Sequence, residues 1–336
     1  MKFLLQYRRY RLPFRAAVRT AHGVWAEREG LMVRLEDEKG AVGFGEAAPI
    51  PWFGTETVDE AEAVLRELGS EVSEEQMAAV PEKVGCLKHA LAVARAEFQV
   101  REANNKTEHL GVAALLPAGR AALGLVAGKA ELGFRMFKWK VGVADAGDEL
   151  AMLDDLCAAL PDGAKLRLDA NGAWDRRTAE RWLARCTERP VEFVEQPCFG
   201  TRGADDVLRG LAEDFPTPLA LDESLVGEQD IERWLGAGWR GVFVVKHVLL
   251  ADPPAALARL AAAKATVVFS SALETALGAR TALRAAFAWP GERRALGFGV
   301  WPLFQDARFD GPATGPFLYA QDVERINPEA LWNALS

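Results

Sequence analysis

Short runs of alternating apolar and polar residues dominate the first part of the chain, and two stretches with helical spacing follow them. Period-two alternation bounded by turn residues indicates strands, whereas apolar residues at three- and four-residue intervals indicate helices. The predicted strands cover residues 3–11, 31–36 and 42–46, with a hairpin turn at 37–40, and the predicted helices cover residues 58–68 and 84–103. This pattern predicts an α+β domain, which we bound at residues 1–108.

From residue 109 onwards a different pattern repeats, in which a short apolar run is followed by a loop and a helical stretch. The predicted strands lie at residues 111–116, 137–141, 166–170, 193–196, 219–223, 242–246, 266–271 and 296–300, and the predicted helices at 148–160, 177–185, 205–213, 228–235, 254–264 and 275–287. Eight parallel strands with crossover helices close into a (β/α)8-type barrel. We assign this barrel to residues 109–311 and expect residues 312–336 to return to the N-terminal domain.

Composition and charge narrow the class of protein. The net charge of −8 argues against nucleic acid as a partner, because a phosphate backbone needs a basic face. Apolar runs stay shorter than the roughly 18 residues that a membrane span needs, and the N-terminus lacks the apolar segment of a signal peptide. The four cysteines show no CxxC spacing, which favours free thiols. We therefore expect a cytoplasmic protein without a membrane or nucleic-acid partner.

Ionisable residues stand at or near the ends of five successive predicted barrel strands. They are Lys140, Asp169, Glu195, Asp222 and Lys246. Each is separated from the next by about one βα unit, and the active sites of barrels lie at the carboxyl ends of the strands. The pattern therefore predicts that these five side chains meet at one mouth of the barrel.

The side-chain period of a strand adds two residues to this set. Lys138 falls on the same face as Lys140, and Asn171 on the same face as Asp169. Taken singly, each residue also fits a plainer role, such as a lysine protruding at a strand end or a carboxylate capping a helix. Taken together, they favour a functional site.

The three carboxylates Asp169, Glu195 and Asp222 offer hard oxygen ligands. Oxygen donors without thiolate or imidazole suit Mg²⁺, for which Mn²⁺ can substitute. Carboxylates that converge without a cation would repel one another. We therefore predict a Mg²⁺ site and a small-molecule carboxylate substrate bound through the metal, with two lysines placed to move or stabilise charge beside the substrate carboxylate.

These motifs resemble a known family. Lys138-Trp139-Lys140, Asp169-Ala170-Asn171, Glu195-Gln196-Pro197, Asp222-Glu223-Ser224 and Lys246 are similar, in order and spacing, to motifs of the muconate-lactonizing subgroup of the enolase superfamily. The resemblance implies a modified (β/α)7β barrel with an N-terminal α+β capping domain. It also implies that Asp169, Glu195 and Asp222 bind the metal, that Lys140 is the acid/base, and that Lys246 faces it across the substrate. Lys138 would supply a neighbouring positive charge, and His247 departs from the proline that related sequences often carry there.

Substrate specificity depends on other segments. Residues 45–57, including Gly54 and Thr55, resemble the capping loop of one branch of the subgroup, and we expect residues 19–25 and 51–57 to lie over the barrel mouth. Ser270 and Ser271 resemble a substrate-binding region on the seventh strand, although Ser271 with Glu274 also fits a capping box. We include Asn171 among the substrate-binding residues. For His22, in the first loop, we expect a structural or surface role rather than a contact with substrate.

The branch of the subgroup that the resemblance favours catalyses a dehydration. It would convert 2-succinyl-6-hydroxy-2,4-cyclohexadiene-1-carboxylate into o-succinylbenzoate, in menaquinone or phylloquinone biosynthesis, by lysine acid/base chemistry through a Mg²⁺-stabilised enediolate. Two alternatives stay open: an N-succinylamino acid racemase or another epimerase or cycloisomerase of the subgroup, and a non-catalytic barrel that binds an acidic metabolite. The absence of an acidic pair in residues 295–301 counts against a dipeptide epimerase.

Overall fold

The structure is a computed structural model that describes residues 2–20, 23–99, 108–200, 203–313 and 315–335. Its strands are β1 (Lys2–Thr20), β2 (Gly23–Asp37), β3 (Val42–Ala47), β4 (Glu71–Ser73), β5 (His109–Gly111), β6 (Ala114–Leu116), β7 (Met136–Lys140), β8 (Lys165–Asp169), β9 (Val191–Glu195), β10 (Leu219–Leu221), β11 (Val242–Val245), β12 (Thr266–Phe269) and β13 (Phe317–Tyr319). Its helices are α1 (Val58–Leu68), α2 (Glu74–Ala78), α3 (Gly85–Ala96), α4 (Ala121–Glu131), α5 (Ala146–Ala159), α6 (Arg176–Cys186), α7 (Ala204–Asp214), α8 (Glu228–Gly236), α9 (Pro253–Ala262), α10 (Ala276–Ala288), α11 (Ala320–Glu324) and α12 (Pro328–Asn333).

The N-terminal part is an antiparallel sheet covered by helices. Its strand order is β3-β2-β1-β4, and α3 packs on β3 so closely that a side chain at Gly43 or Gly45 would collide with the backbone of the helix. Helix α1 begins at the predicted residue because Thr57 and Glu60 form a reciprocal capping box, which satisfies two backbone amides. The predicted α+β cap is confirmed.

The second part is a seven-stranded parallel sheet in the order β12-β11-β10-β9-β8-β7-β6. It closes through Leu296, which bridges Val112, and Gly297, which bridges Ser270. The fold is therefore a capped (β/α)7β barrel. The predicted strand at 296–300 is reduced to these two bridges, because glycines at 297 and 299 weaken a strand.

The predicted strand at 111–116 was also wrong in one respect, since it divides into two pieces. Strand β6 joins the barrel, whereas β5 pairs antiparallel with β13 of the C-terminal segment. The C-terminal segment reaches the cap as well: Arg8 donates to the carbonyl oxygen of Trp332 at 2.5 Å, and the rings of Phe44 and Trp332 lie 6.1 Å apart.

A buried carboxylate joins the cap to the barrel. Glu46, on β3, accepts hydrogen bonds from the backbone and hydroxyl of Thr275 (3.0 and 2.5 Å), from the backbone of Gly278 (2.8 Å) and from the hydroxyl of Tyr10 (2.5 Å). Thr275 and Gly278 lie at the start of α10, where unpaired amides and the helix dipole favour a negative charge. This contact fixes the cap over the end of β12.

Beneath the strand ends the interior of the barrel is largely apolar, although the buried guanidinium of Arg167 lies 4.8 Å from the centroid of the Phe193 ring. Phe193, Ala220, Val242, Val244 and Val268 form a separate buried cluster there. Because side chains alternate along a strand, Phe193 shares its face with Glu195, Ala220 with Asp222, and Val244 with Lys246. The ionisable residues of the strand ends therefore lie above a largely apolar layer.

No described helix is both long and apolar enough to cross a bilayer. The four cysteines are free thiols, of which Cys86, Cys186 and Cys198 are buried.

Candidate active site

The ends of five neighbouring barrel strands bring the predicted residues to one place. In the strand register Lys140 pairs with Asp169, Asp169 with Glu195, and Glu195 with Ala220, two residues before Asp222. A cavity of about 310 Å³ opens at this end of the barrel. Its walls include Lys138, Lys140, Asp169, Asn171, Asp222, Glu223, Lys246, Ser270, Ser271 and Gly297.

Lys138 links two of the carboxylates. Its ammonium lies 2.7 Å from Glu195 Oε1 and 2.9 Å from Asp169 Oδ2. Burial disfavours the charged form, but the charges of the two carboxylates outweigh it and raise the pKa of Lys138 above its usual value. Lys138 is therefore a fixed positive charge at neutral pH, two residues before Lys140 on the same strand face.

Lys246 forms an ion pair with Asp222 and is buried. Burial is the main reason that the pKa of Lys246 falls from its usual value to about 8, although the charge of Glu195 works in the opposite direction. With a pKa of about 8, most of the Lys246 side chains carry a charge at pH 7. Lys246 can therefore act as a cation at neutral pH and loses that charge at mildly alkaline pH.

The three carboxylates are shared between the two lysines. Asp169 and Glu195 turn toward Lys138 and Asp222 toward Lys246, so that no group of metal-binding side chains is already gathered among the described residues. The donor set nevertheless suits a hard cation, since all three ligands are carboxylate oxygens. Negative charge accumulates here: burial, followed by the charge of Asp169, raises the pKa of the neighbouring Glu223 to about 7. A divalent cation would relieve that repulsion.

The sequence did not reveal the role of Glu223. Its Oε1 accepts a hydrogen bond from the Asn171 amide at 3.0 Å, whereas Glu223 Oε2 and Asn171 Oδ1 are buried without a hydrogen-bond partner among the described residues. The sequence indicated Glu223 only through its position directly after Asp222, within the motif Asp222-Glu223-Ser224. Both unpaired oxygens belong to residues that line the cavity.

Gln196 was also missed, and it holds the backbone around Asp222. Its Oε1 accepts from the backbone amides of Asp222 (2.9 Å) and Ser224 (3.1 Å), and its Nε2 donates to Ser224 Oγ (2.7 Å) and to the carbonyl oxygen of Cys198 (2.9 Å). The residue has a left-handed φ of 37°. Its place after Glu195 in the motif was the only sequence signal.

The seventh strand ends in a serine pair beside the cavity. Ser271 Oγ donates to Glu274 Oε2 at 2.9 Å and accepts from the backbone of Leu273 at 2.9 Å. The N-cap of α10 is Thr275, so Ser271 and Glu274 form a turn before the helix rather than its capping box. Burial raises the pKa of Glu274 to about 7. Ser270 and Ser271 therefore stand where the sequence placed them.

The cap covers this cavity with apolar side chains, namely Val18, Trp25, Ile50, Trp52 and Phe53. Gly54 and Thr55 instead line a separate groove toward α8 and α9, and Thr55 Oγ1 accepts from the backbone of Ile50 at 2.7 Å. They shape the loop, and the predicted substrate contacts of Gly54 and Thr55 find no support in this arrangement. His22 lies outside the described residues.

His247, the departure from the family pattern, is buried against the cap. Its ring lies edge-on to that of His89, with centroids 5.1 Å apart, and His89 Nδ1 bonds to the carbonyl oxygen of Leu250 at 2.9 Å. Burial lowers the pKa of both imidazoles. His247, directly after Lys246, and His89, on α3 of the cap, therefore pack together as neutral rings.

Comparisons with known proteins identify the family of this chain. Residues 122–316 match the family model "Enolase C-terminal domain-like", and residues 3–98 match "MenC, N-terminal domain". An o-succinylbenzoate synthase of Thermosynechococcus vestitus is 42% identical over 305 residues, which cover 88% of this chain and 92% of that protein. One from Pectobacterium atrosepticum is 32% identical, with 80% and 82% covered.

Solved structures show the same fold. The o-succinylbenzoate synthase of Thermosynechococcus elongatus, complexed with Mg in its active site, superposes with a TM-score of 0.83 at 38% identity and covers 98% of this chain and 99% of its own. The L-Ala-D/L-Glu epimerase of Bacillus subtilis reaches a TM-score of 0.82 at 19% identity, covering 95% and 96%, and shares the fold alone. On the two family models and the 42% identity, this chain belongs to the o-succinylbenzoate synthase family of the enolase superfamily.

Proposed function

We propose that this chain is a hydro-lyase that dehydrates 2-succinyl-6-hydroxy-2,4-cyclohexadiene-1-carboxylate to o-succinylbenzoate in menaquinone biosynthesis. The observation that carries the proposal is the placement of Lys140 at the end of β7 and of Lys246 directly after β11, four strands apart in an eight-position barrel. Asp169, at the end of β8, and Asp222, directly after β10, lie between them and line the same cavity. Membership of the o-succinylbenzoate synthase family supports the choice of reaction.

Asp169, Glu195 and Asp222 would hold the divalent cation, which we propose to be Mg²⁺ with Mn²⁺ as a substitute. The cation, when bound, supplies positive charge to the substrate carboxylate and makes the adjacent proton more acidic. To admit it, Asp169 and Glu195 must share their charge between Lys138 and the metal, and Asp222 between Lys246 and the metal. Cytoplasmic localisation stays a prediction.

The lysines divide the chemistry between the two faces of the substrate. Lys140, as a neutral amine, takes the proton from the carbon that bears the carboxylate. As an ammonium it then returns that proton to the departing hydroxyl group, which leaves as water while the ring becomes aromatic. Lys246, as an ammonium on the opposite face, stabilises the negative charge that develops between these steps. Lys138 contributes a fixed positive charge beside Lys140.

One observation favours a second candidate, the racemisation of N-succinylamino acids. That reaction needs a base on each face of the substrate, and the lowered pKa of Lys246, about 8, brings this residue closer to such a role. Incorporation of deuterium from the solvent into both enantiomers of N-succinylphenylalanine would support racemisation. Without that incorporation, the dehydration stands alone.

The direct test is the loss of the diene absorbance of the cyclohexadiene substrate with purified protein. We expect turnover with Mg²⁺, none after treatment with EDTA, and recovery when Mg²⁺ is added in excess. The Lys140→Ala variant serves as a control that keeps the metal ligands. Binding of Mg²⁺ and substrate without any product would refute the proposed reaction and support a barrel that only binds its metabolite.

A further inference from the structure

The 3₁₀ turn Pro51–Phe53 of the cap presents the aromatic ring of Phe53 to Lys246, which directly follows β11. Lys246 Nζ lies 5.0 Å from the centroid of the Phe53 ring, within the distance of about 6 Å at which a cation and an aromatic face attract. Both residues line the cavity. Lys246 comes from the barrel and Phe53 from the cap, so the contact crosses the boundary between them.

Two contacts from different directions hold this ammonium. Asp222 pairs with it from the neighbouring strand β10, and Phe53 faces it from the cap. A lysine side chain has four rotatable bonds and samples many rotamers when it is held at its tip from only one side. Asp222 is also a proposed metal ligand, so its charge must serve the metal as well. An aromatic face attracts the ammonium without competing for the metal.

The ring can do this only if its own position is fixed. The 3₁₀ turn Pro51–Phe53 is closed by hydrogen bonds from Phe53 N to Ile50 O (2.8 Å) and from Gly54 N to Pro51 O (2.9 Å). Gly54 has a φ of 97°, which a residue with a side chain rarely adopts. Its neighbour Thr55 anchors the start of the turn through its hydrogen bond with Ile50.

A buried arginine holds the base of the same turn. Arg28 is 1% exposed and donates to the carbonyl oxygens of Ala48 (2.5 Å) and Pro49 (2.7 Å). It also lies 5.1 Å above the ring of Trp25, which packs edge-on against Trp52 with centroids 4.6 Å apart. The turn is thus held on both sides, and Phe53 projects from it into the cavity.

We propose that Phe53 is a positioning residue for the reaction, which holds the Lys246 ammonium at the substrate through a cation–π contact. The effect of Phe53 on catalysis rests on the proposed function, in which Lys246 presents its charge to the face of the substrate opposite Lys140. The contact itself depends only on the two side chains. It therefore has a test that does not need turnover.

The sharpest test replaces Phe53 with mono-, di- and trifluorophenylalanine. Fluorine withdraws electron density from the ring face and weakens the attraction for a cation, while the shape of the ring changes little. We expect kcat for dehydration to fall stepwise with each fluorine, by about 3- to 30-fold for the trifluoro ring. Phe53→Leu should lose a similar factor, and Phe53→Tyr should keep most of the activity.

A role in substrate binding alone predicts a different result. The substrate is an anion, so a less negative ring face would leave KM unchanged or lower it and would not reduce kcat. The same fluorinated residues at position 98 provide the matched control, since Phe98 packs on Phe3 in the cap, with centroids 5.5 Å apart. A kcat that is flat across the series at position 53, or an equal loss at position 98, overturns the inference.

A second measurement separates this inference from the proposed function. In protein labelled with ¹³C at the lysine ε-carbon, the Lys246 signal, assigned by its loss in Lys246→Arg, should be shifted upfield by the ring of Phe53 and should move downfield in Phe53→Leu. If wild-type protein forms no product but this shift is present, the proposed reaction fails and the contact stands. If product forms but Phe53→Leu leaves the shift unchanged, the contact fails and the reaction stands.

Discussion

Glu46 accepts two hydrogen bonds from Thr275, a residue 229 positions later in the chain. Both residues are buried, and two further donors, Tyr10 and Gly278, complete the surroundings of the carboxylate. The cap therefore supplies a charged acceptor to the start of a barrel helix. The position of the end of β12, with Ser270 and Ser271, therefore depends on this contact with the cap.

Removal of the Glu46 carboxylate should destabilise the protein. Glu46→Ala leaves the amides of Thr275 and Gly278 buried without an acceptor, and we expect a loss of about 2–4 kcal/mol in the free energy of unfolding. Urea denaturation measures this loss. Glu82→Ala, which removes an exposed partner of Lys88, is the control and should change stability by less than about 0.5 kcal/mol. Equal stability of the two variants would contradict the role given to Glu46.

The two lysines should respond differently to substitution. Lys140→Ala and Lys140→Arg should both abolish dehydration, because arginine cannot act as a base at neutral pH. Lys246→Ala should reduce kcat by about 10²-fold or more, whereas Lys246→Arg can retain part of the electrostatic stabilisation. Product formation is measured with variant protein from which contaminating wild-type enzyme has been removed. Substantial turnover by Lys140→Arg would show that another residue is the base.

The three carboxylates should each be needed to bind the metal. Asp169→Asn, Glu195→Gln and Asp222→Asn each remove a hard anionic ligand, and we expect the affinity for Mn²⁺ to fall by at least about tenfold. Electron paramagnetic resonance of free Mn²⁺ reports this directly, without any need for turnover. The control is Asp214→Asn, whose carboxylate pairs with Arg176 on the surface. Unchanged affinity in two of the three variants would rule out this ligand set.

Stability should depend on pH through His89. Burial lowers the pKa of His89 from 6.5 to about 4, so between these values the unfolded chain binds the proton more readily than the folded chain. The stabilising contribution is therefore complete above pH 6.5 and is lost as the pH falls toward 4, by about 3 kcal/mol in total. His89→Asn keeps a donor for Leu250 but cannot titrate. Its urea midpoint should fall less than that of the wild type between pH 6.5 and 4, and the exposed His109→Asn variant should behave as the wild type.

Local patterns predicted much of this molecule. Helix α1 follows from the helical spacing of apolar residues between positions 58 and 68, and the strand ends that carry Lys140, Asp169 and Lys246 follow from the alternation of side chains. Such features depend on residues within one or two turns of each other. The sequence therefore predicted several of the polar residues that line the cavity.

Long-range contacts could not be predicted, because sequence patterns report only on residues that are close together in the chain. No local sequence pattern indicates the hydrogen bond between Glu46 and Thr275 or the hydrogen bond between the Gln196 side chain and the Asp222 backbone. The choice between Phe53 and its neighbours Gly54 and Thr55 depends on how a single turn is oriented over the barrel. Side-chain direction in an irregular turn has no period from which it could be read.

The separation between Glu46 and Thr275 also bears on how the protein is made. After Glu46 is added to the growing chain, 229 further residues must be synthesised before its partner exists. At about 5–20 residues per second this takes roughly 11 to 46 s. Throughout that interval the nascent cap carries a carboxylate that its own sheet cannot fully satisfy and apolar surface that Val248 and Leu249 later cover. The cap of the newborn chain therefore needs protection from aggregation until the last strands of the barrel are made.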